Sequence, residues 1–294
     1  MEEAIKYYFN KIIKEKIKLE NGWKESWLIT LSDHQKVVFR AYSNYTELFE
    51  REKLFYDTVN SKIGKTCPEI YVVDGSCDYY DKAFQISEYI EGKALRYCLQ
   101  EELNDRKKEN IYYEIGQLIA QINQIEADVQ SMYPMGRDSW EAYYSNFLMR
   151  PQLLRIVAND LITIDEIDLI CEKMQAYPAS KANRLLHRDI RPDNLIFRNG
   201  RLFVIDAETS EIGDPLDELA RIHLEWHYWE MYDTLLKGYK NVLKIDTDNI
   251  LFYFYQLEEL GELLDMHYNH GCKNSTTPFF RNCFREAKEK VLRD

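Results

Sequence analysis

Basic charge is in short supply. The 294 residues carry 38 Lys and Arg against 50 Asp and Glu, a formal net charge of −12. Such a chain repels a phosphate backbone, so nucleic acid is not an expected partner, whereas a cationic small molecule would be favoured in a cleft. Long apolar runs are missing as well. No stretch of about 18 apolar residues occurs, so no membrane span is expected. Six cysteines are present (Cys67, Cys77, Cys98, Cys171, Cys272 and Cys283), but no two form a C-x-x-C pair. That argues against a zinc site or a disulfide framework and for reduced thiols in the cytosol. Glycine (11) and proline (7) are sparse, and neither a low-complexity linker nor an internal repeat interrupts the chain. The opening MEEAIKYYFNKIIKEK is charged throughout and does not read as a signal peptide. The expected location is the cytoplasm.

What remains is ordinary globular material, 45% apolar and 30% charged, and long enough for two lobes. Ile5, Phe9, Ile12 and Ile13 recur as on a short amphipathic helix. Ser26–Leu31 and Gln35–Tyr42 are β-rich runs parted by Ser32-Asp33-His34, a hairpin signature. Thr46 to about Asn60 reads as a helix, with Leu48, Phe49, Leu54 and Val59 recurring. Glu69–Val73 and Ala83–Glu88 read as strands, with a turn at Asp74-Gly75-Ser76. Beyond Gly92 the texture becomes helical: Ile111, Ile115, Leu118, Ile119, Ile122 and Ile125 make one apolar face. Ser139–Ile156 and Ile164–Gln175 follow as helical stretches. Two short strand-like runs, Asn194–Phe197 and Leu202–Ile205, flank the turn at Arg198–Arg201, and after Pro215 the chain is helical almost to its end. The spacing predicts an α+β protein with an N-terminal lobe over residues 1–91 and a helical C-terminal lobe over 92–294.

The most informative stretch is Leu185-Leu186-His187-Arg188-Asp189-Ile190-Arg191-Pro192-Asp193-Asn194-Leu195-Ile196-Phe197. An apolar run leads into H-x-D, an Asn follows after four intervening residues, and a second run ends in Val204-Ile205-Asp206. The layout matches the template for phosphoryl transfer. That reaction gathers negative charge, which Mg2+ neutralises, and Mg2+ prefers hard oxygen ligands. Asp206 offers a carboxylate and Asn194 a carbonyl oxygen. Asp189 is then the group that orients the attacking hydroxyl and accepts its proton. His187 is expected to support the loop.

These motifs resemble those of the aminoglycoside phosphotransferase and choline kinase superfamily, whose members share a fold with protein kinases. The resemblance runs from about Asn21 to the last helices. Gly213-Asp214-Pro215-Leu216-Asp217-Glu218-Leu219 is similar to the family's G-D-P-x-x-D-L segment, while the A-P-E of protein kinases is absent. The resemblance implies a bilobal kinase-like fold, with a small antiparallel-sheet N-lobe and a large helical C-lobe, and ATP or GTP as phosphate donor. It also assigns the small lobe. Asn21–Ser26, with the lone glycine Gly22 and with Ser26 at its end, would cover the nucleotide phosphates. Arg40 stands where a strand lysine usually grips them, and Arg can do so bidentately. Glu52, with Glu50 as competitor, would pair with Arg40, and the backbone of Glu88 and Ile90 would meet adenine. Two positions depart from the family pattern: Arg188 where Gly is frequent, and Ala207 where an aromatic is common.

The acceptor is expected beside Asp189. Between Glu208 and Asp265 there are 14 acidic and 4 basic residues, which suits a cationic acceptor such as a polyamine sugar. Glu208, Asp214, Glu225, Trp226 and Glu230 are the candidate contacts. Trp226, Trp229 and Tyr232 near carboxylates could instead cage a quaternary ammonium, a choline-type reading, although their helical spacing equally suits a core. The competing classes are another small-metabolite kinase, a nucleotide hydrolase, a protein kinase and a kinase-like regulatory binding protein. The sequence leaves the oligomeric state open.

Overall fold

A computed structural model describes residues 1–19, 24–42, 46–101, 104–127, 139–179, 182–226 and 231–293. In chain order its elements begin with α1 (Glu2–Phe9), β1 (Ile13–Leu19), β2 (Glu25–Leu31), β3 (Lys36–Ala41), α2 (Glu47–Ile63), β4 (Ile70–Asp74), β5 (Phe84–Glu88), β6 (Lys93–Ala94), α3 (Leu95–Glu101) and α4 (Asp105–Asn123). Then come α5 (Trp140–Tyr143), a π-helical stretch (Tyr144–Met149), α6 (Arg150–Arg155), α7 (Ile164–Gln175), β7 (Arg184–Leu186), β8 (Leu195–Arg198), β9 (Arg201–Val204) and β10 (Glu211–Gly213). The chain ends with α8 (Pro215–Glu225), α9 (Tyr232–Val242), α10 (Ile250–Asn269) and α11 (Thr277–Arg293). Contacts group the chain into two compact units: 1–105 with 189–210, and 106–188 with 211–294. Glu91, where the sequence suggests a lobe boundary, falls inside the first unit.

The first unit is built on an antiparallel five-stranded sheet of order β1-β2-β3-β5-β4. Strand side chains alternate between faces. Val37, Phe39 and Ala41 therefore join Ile29, Leu31, Phe84 and Ile86 in one core, closed by Ala4 and Ile5 of α1. The rings of Phe39 and Phe84 stack at 5.0 Å. Each side chain of this size buried here contributes about 1.5–3 kcal/mol. The alternate residues, Val38 and Arg40, are left for the opposite face. The first helix is shorter than its apolar spacing suggests. Asn10 adopts a left-handed conformation (φ +50°) and caps α1, and Ile13 opens β1. That edge strand carries Lys14, Lys16 and Lys18, a common protection against edge-to-edge pairing.

Residues 189–210 add β8 and β9 to this unit. They form a hairpin that also pairs with β6, and the amide of Val204 donates to the carbonyl of Thr66 at 2.9 Å.

The second unit is mainly helical. Its α10 buries residues on nearly every side, from Leu251 to His267, and packs against α6, α8 and α11. β7 pairs with β10, Leu186 opposite Glu211, which fixes where the chain leaves toward His187. The chain is thus α+β, an antiparallel-sheet unit and a mainly helical one, the class that the sequence predicts.

Candidate active site

Strand register places three polar side chains in a row. Ser26 lies opposite Arg40, and Arg40 opposite Gln85. All three sit on the face that the core leaves free. Helix α2 brings a fourth. Its buried positions Phe49, Glu52, Tyr56 and Val59 follow helical spacing, so Glu52 faces the sheet fully buried while Glu50 is exposed. This settles the choice between the two glutamates as partner of Arg40. Arg40 forms an ion pair with Glu52 and donates through Nε to Gln85 Oε1 (3.2 Å). Its Nη1 reaches Asp206 Oδ1 at 3.2 Å, and Gln85 Nε2 donates to Glu52 at 3.0 Å. Burial opposes the charge on Arg40, but Glu52, Tyr56 and Asp206 outweigh it and hold its pKa above the usual range.

Glu52 also reaches the far end of the hairpin. Tyr56 donates its hydroxyl to Glu52 Oε1 (2.6 Å) and accepts the Asp206 amide (2.8 Å). The Ala207 amide donates to Glu52 as well, at 3.2 Å. Burial, then the neighbouring Glu52, push the phenol's pKa far up, so Tyr56 stays protonated and serves as donor and acceptor at once. One carboxylate therefore fixes both the strand arginine and the backbone that presents Asp206. That backbone is left-handed at Asp206 (φ +63°), a conformation Asp tolerates better than most residues.

Asn194 closes a single 3-10 turn, Pro192–Asn194, and its carbonyl accepts the Ile205 amide at 3.0 Å. Its side-chain nitrogen donates to Asp189, to Oδ2 at 2.7 Å and to the carbonyl at 2.9 Å. Arg191 Nε lies 3.3 Å from Asp189 Oδ1. With the amide nitrogen so engaged, Asn194 Oδ1 is the atom it can offer a cation. Among the described residues no three His, Cys, Asp or Glu side chains form a metal cage. Asp206 and Asn194 instead fit Mg2+ as kinases hold it, by one or two protein oxygens together with phosphate and water.

Lys24, Gln85 and Tyr56 are participants that the motifs do not single out. The Lys24 ammonium lies 3.3 Å from Asp206 Oδ1 and forms an ion pair with Glu208. Burial and repulsion from Arg40 lower its pKa, and Asp206 and Glu52 offset this only in part. Ser26 is buried at the start of β2, its hydroxyl 3.5 Å from the Lys24 carbonyl. Gly22 lies outside the described residues. Glu88 ends β5, where its amide donates to Glu69 and its carboxylate pairs with Lys65 at 2.6 Å; Ile90 is buried just beyond.

The remaining expected residues belong to the helical unit. His187 is fully buried. Glu218 accepts the amides of His187 (2.6 Å) and Arg188 (3.0 Å), the two residues before Asp189. Arg188 pairs with Asp217 and Glu258, each at 3.1 Å. Arg221 pairs with Glu258 at 2.8 Å and with Glu259. Asp214 caps α8 by accepting the Leu216 amide (3.0 Å) and also takes the Tyr255 hydroxyl (3.1 Å). Glu225 is half-buried near the end of α8. Trp226 is fully enclosed, its ring 5.4 Å from Tyr112. It packs the core, as its helical spacing equally suits. Tyr232 packs on His223 at 4.8 Å. Glu230 lies outside the described residues. No described helix is long and apolar enough to cross a membrane.

Comparison with known proteins agrees with this geometry. Solved structures of similar fold include a candidate fructosamine-3-kinase from Thermobifida fusca (TM-score 0.67, 14% identity, covering 100% of this chain and 99% of that one). Another is the aminoglycoside phosphotransferase APH(4)-Ia as a thermostable mutant (TM-score 0.70, 14% identity, 98% of both chains), a protein also solved with ADP and hygromycin B. A third is APH(2")-IIa with streptomycin and ATP (TM-score 0.60, 17% identity, 99% and 95%). A stretch of 59 residues is 42% identical to Protein LicA of Haemophilus influenzae, spanning 20% of this chain and 22% of that protein. The phosphotransferase enzyme family matches residues 17–246, a span that takes in both the Arg40 strand and the segment from Asp189 to Asp206; the chain belongs to this family and is a phosphotransferase.

Proposed function

We propose that the protein is a magnesium-dependent kinase that transfers the terminal phosphate of ATP or GTP to a hydroxyl of a small cationic molecule, aminoglycoside-like in chemistry. The observation that carries this reading is the joining of Arg40, Asp206, Asn194 and Asp189 in one compact unit through Glu52 and the β8–β9 hairpin. Arg40, held by Glu52 and Gln85, is placed to grip phosphate oxygens. Asn194 and Asp206 would hold Mg2+, which neutralises charge on the transferring group.

Asp189 is the proton acceptor. Asn194 and Arg191 fix its carboxylate from two sides, so one oxygen lone pair can be aimed at an incoming hydroxyl without reorganisation. The hydroxyl oxygen bonds to the terminal phosphorus as the bond to the bridging oxygen breaks. Its proton passes to Asp189, and the nucleoside diphosphate leaves. Glu218 supports this by anchoring the two amides before Asp189.

A cationic acceptor is supported by the acidic excess between Glu208 and Asp265 and by the antibiotics bound to two proteins of the same fold. Of the rings behind the choline-type alternative, Trp226 and Tyr232 are engaged in packing, and Trp229 lies outside the described residues. Asp189→Asn is expected to cut phosphate transfer at least about a thousandfold, in line with the loss of a general base. Nucleotide affinity measured by calorimetry should stay within about twofold. Full turnover in that variant would refute the assignment. A coupled nucleotide-turnover screen of aminoglycosides, choline and neutral sugars identifies the acceptor, and phosphorylation of added proteins alone would overturn the small-molecule reading.

A further inference from the structure

Lys24 lies in the stretch Asn21–Ser26 that the resemblance places over the nucleotide phosphates, and its ammonium reaches the Asp206 carboxylate. It shares Asp206 Oδ1 with Arg40, at 3.3 Å and 3.2 Å, and it holds Glu208 by an ion pair. Its side chain is only 11% exposed. The two cations differ in freedom. Arg40 is locked by Glu52 and Gln85, whereas Lys24 is a point charge on a four-carbon stem whose partners are the two carboxylates near the hairpin end. A divalent cation that takes Asp206 through Oδ1 must displace a donor from that oxygen, and Lys24 is the donor better able to leave.

We propose that Lys24 is a built-in counter-ion that competes with the divalent metal for Asp206, so that metal loading requires its ammonium to swing away. The proposal rests on the reading of Asp206 as a metal ligand. Without that ammonium, Asp206 and Glu208 would repel each other. Its presence keeps the two acidic side chains together and makes the site weak for bare metal. Glu208 thereby gains a role, retaining the ammonium near Asp206, that its position two residues further on does not suggest.

The test is Mn2+ binding to the whole protein without nucleotide, followed by electron paramagnetic resonance of the free ion. Lys24→Met keeps the stem and removes the charge, and it is expected to tighten Mn2+ binding about tenfold. Lys24→Arg keeps the charge and should bind Mn2+ as weakly as the unaltered protein. A merely structural role for Lys24 would not divide the two variants by charge. Unchanged or weaker binding in Lys24→Met, or equal tightening in Lys24→Arg, would overturn the proposal. Asp206→Ala separates this failure from that of the underlying reading. If it leaves Mn2+ binding intact, Asp206 is not the ligand; if it abolishes binding while Lys24→Met fails to tighten it, only the counter-ion is lost.

Discussion

Arg188 occupies a backbone position that suits glycine. Its φ of +62° is left-handed, and a non-glycine residue there costs about 1–2 kcal/mol. That cost explains why glycine is frequent at this place in the family and why arginine needs compensation. The compensation is visible in the helical unit: the buried guanidinium pairs with Asp217 and Glu258. Breaking a buried pair by removing one partner costs about 3–5 kcal/mol, more than glycine would regain. Arg188→Gly is therefore expected to destabilise the protein on balance, as read by urea denaturation, despite restoring the common residue. Equal or greater stability would show that the carboxylates do not depend on Arg188. The same residue illustrates a limit of sequence reading. H-x-D, Asn194 and Asp206 were legible because the motif lies within a short span of chain. The partners of Arg188, like those of Lys24 and Gln85, come from elements far apart in sequence and leave no local pattern.

Helices α4 and α9 meet at two glycines. A Cβ on Gly116 would stand 1.9 Å from the Leu235 carbonyl oxygen, and one on Gly238 would stand 2.0 Å from that of Tyr113. Both obstacles are backbone, so no rotamer change relieves them. Gly116→Ala and Gly238→Ala are each expected to lower stability by about 2 kcal/mol or more, at the upper side of overpacking costs. Thermal unfolding checks this, and a midpoint within 1 °C of the unaltered protein (~1 °C being below the shift such a cost implies) would contradict the close crossing. At this scale much was legible. Strands β2 to β5 and helix α2 follow from alternation and from apolar spacing, whereas only burial in the fold separates Glu52 from Glu50. Strand β1 was hidden because Ile12 and Ile13 continue the spacing of α1. What ends the helix is the left-handed Asn10, a backbone event without an apolar signature. The inclusion of residues 189–210 in the sheet unit was likewise unreadable, since it depends on pairing between β6 and β8.

Across the whole molecule, charge is distributed unevenly between surface and interior. The helical unit buries Arg188 and half-buries Arg221 among carboxylates that include Glu211, Asp217, Glu218, Glu258 and Glu259. Burial raises Glu218 to about 7, reinforced by Asp217 and opposed by the amides of His187 and Arg188. Burial likewise raises Glu259 to about 8, opposed by Arg221 and reinforced by Glu258 and Glu262. The sign of the pH effect follows. Between the unfolded value near 4.5 and these folded values the native state binds more protons than the unfolded one, so stability falls as pH rises through that window and levels off above it. Glu25, Asp74 and Glu166 have lowered values; their contribution is present at neutral pH and is lost only in acid. The melting temperature is expected to drop between pH 6 and pH 8 (about the window that linkage assigns to these groups). Glu259→Gln should flatten part of that drop, and a calorimetric pH series in which the variant tracks the unaltered protein would refute it.

Arg40 in place of lysine has a consequence for chemical labelling. A guanidinium does not acylate under conditions that modify amines, so a nucleotide analogue carrying an acyl group cannot mark position 40. The nearby amine is that of Lys24, held by Asp206 and Glu208. An amine-directed covalent reagent meant for the neighbourhood of Arg40 would therefore have to be shaped for the residue just before strand β2.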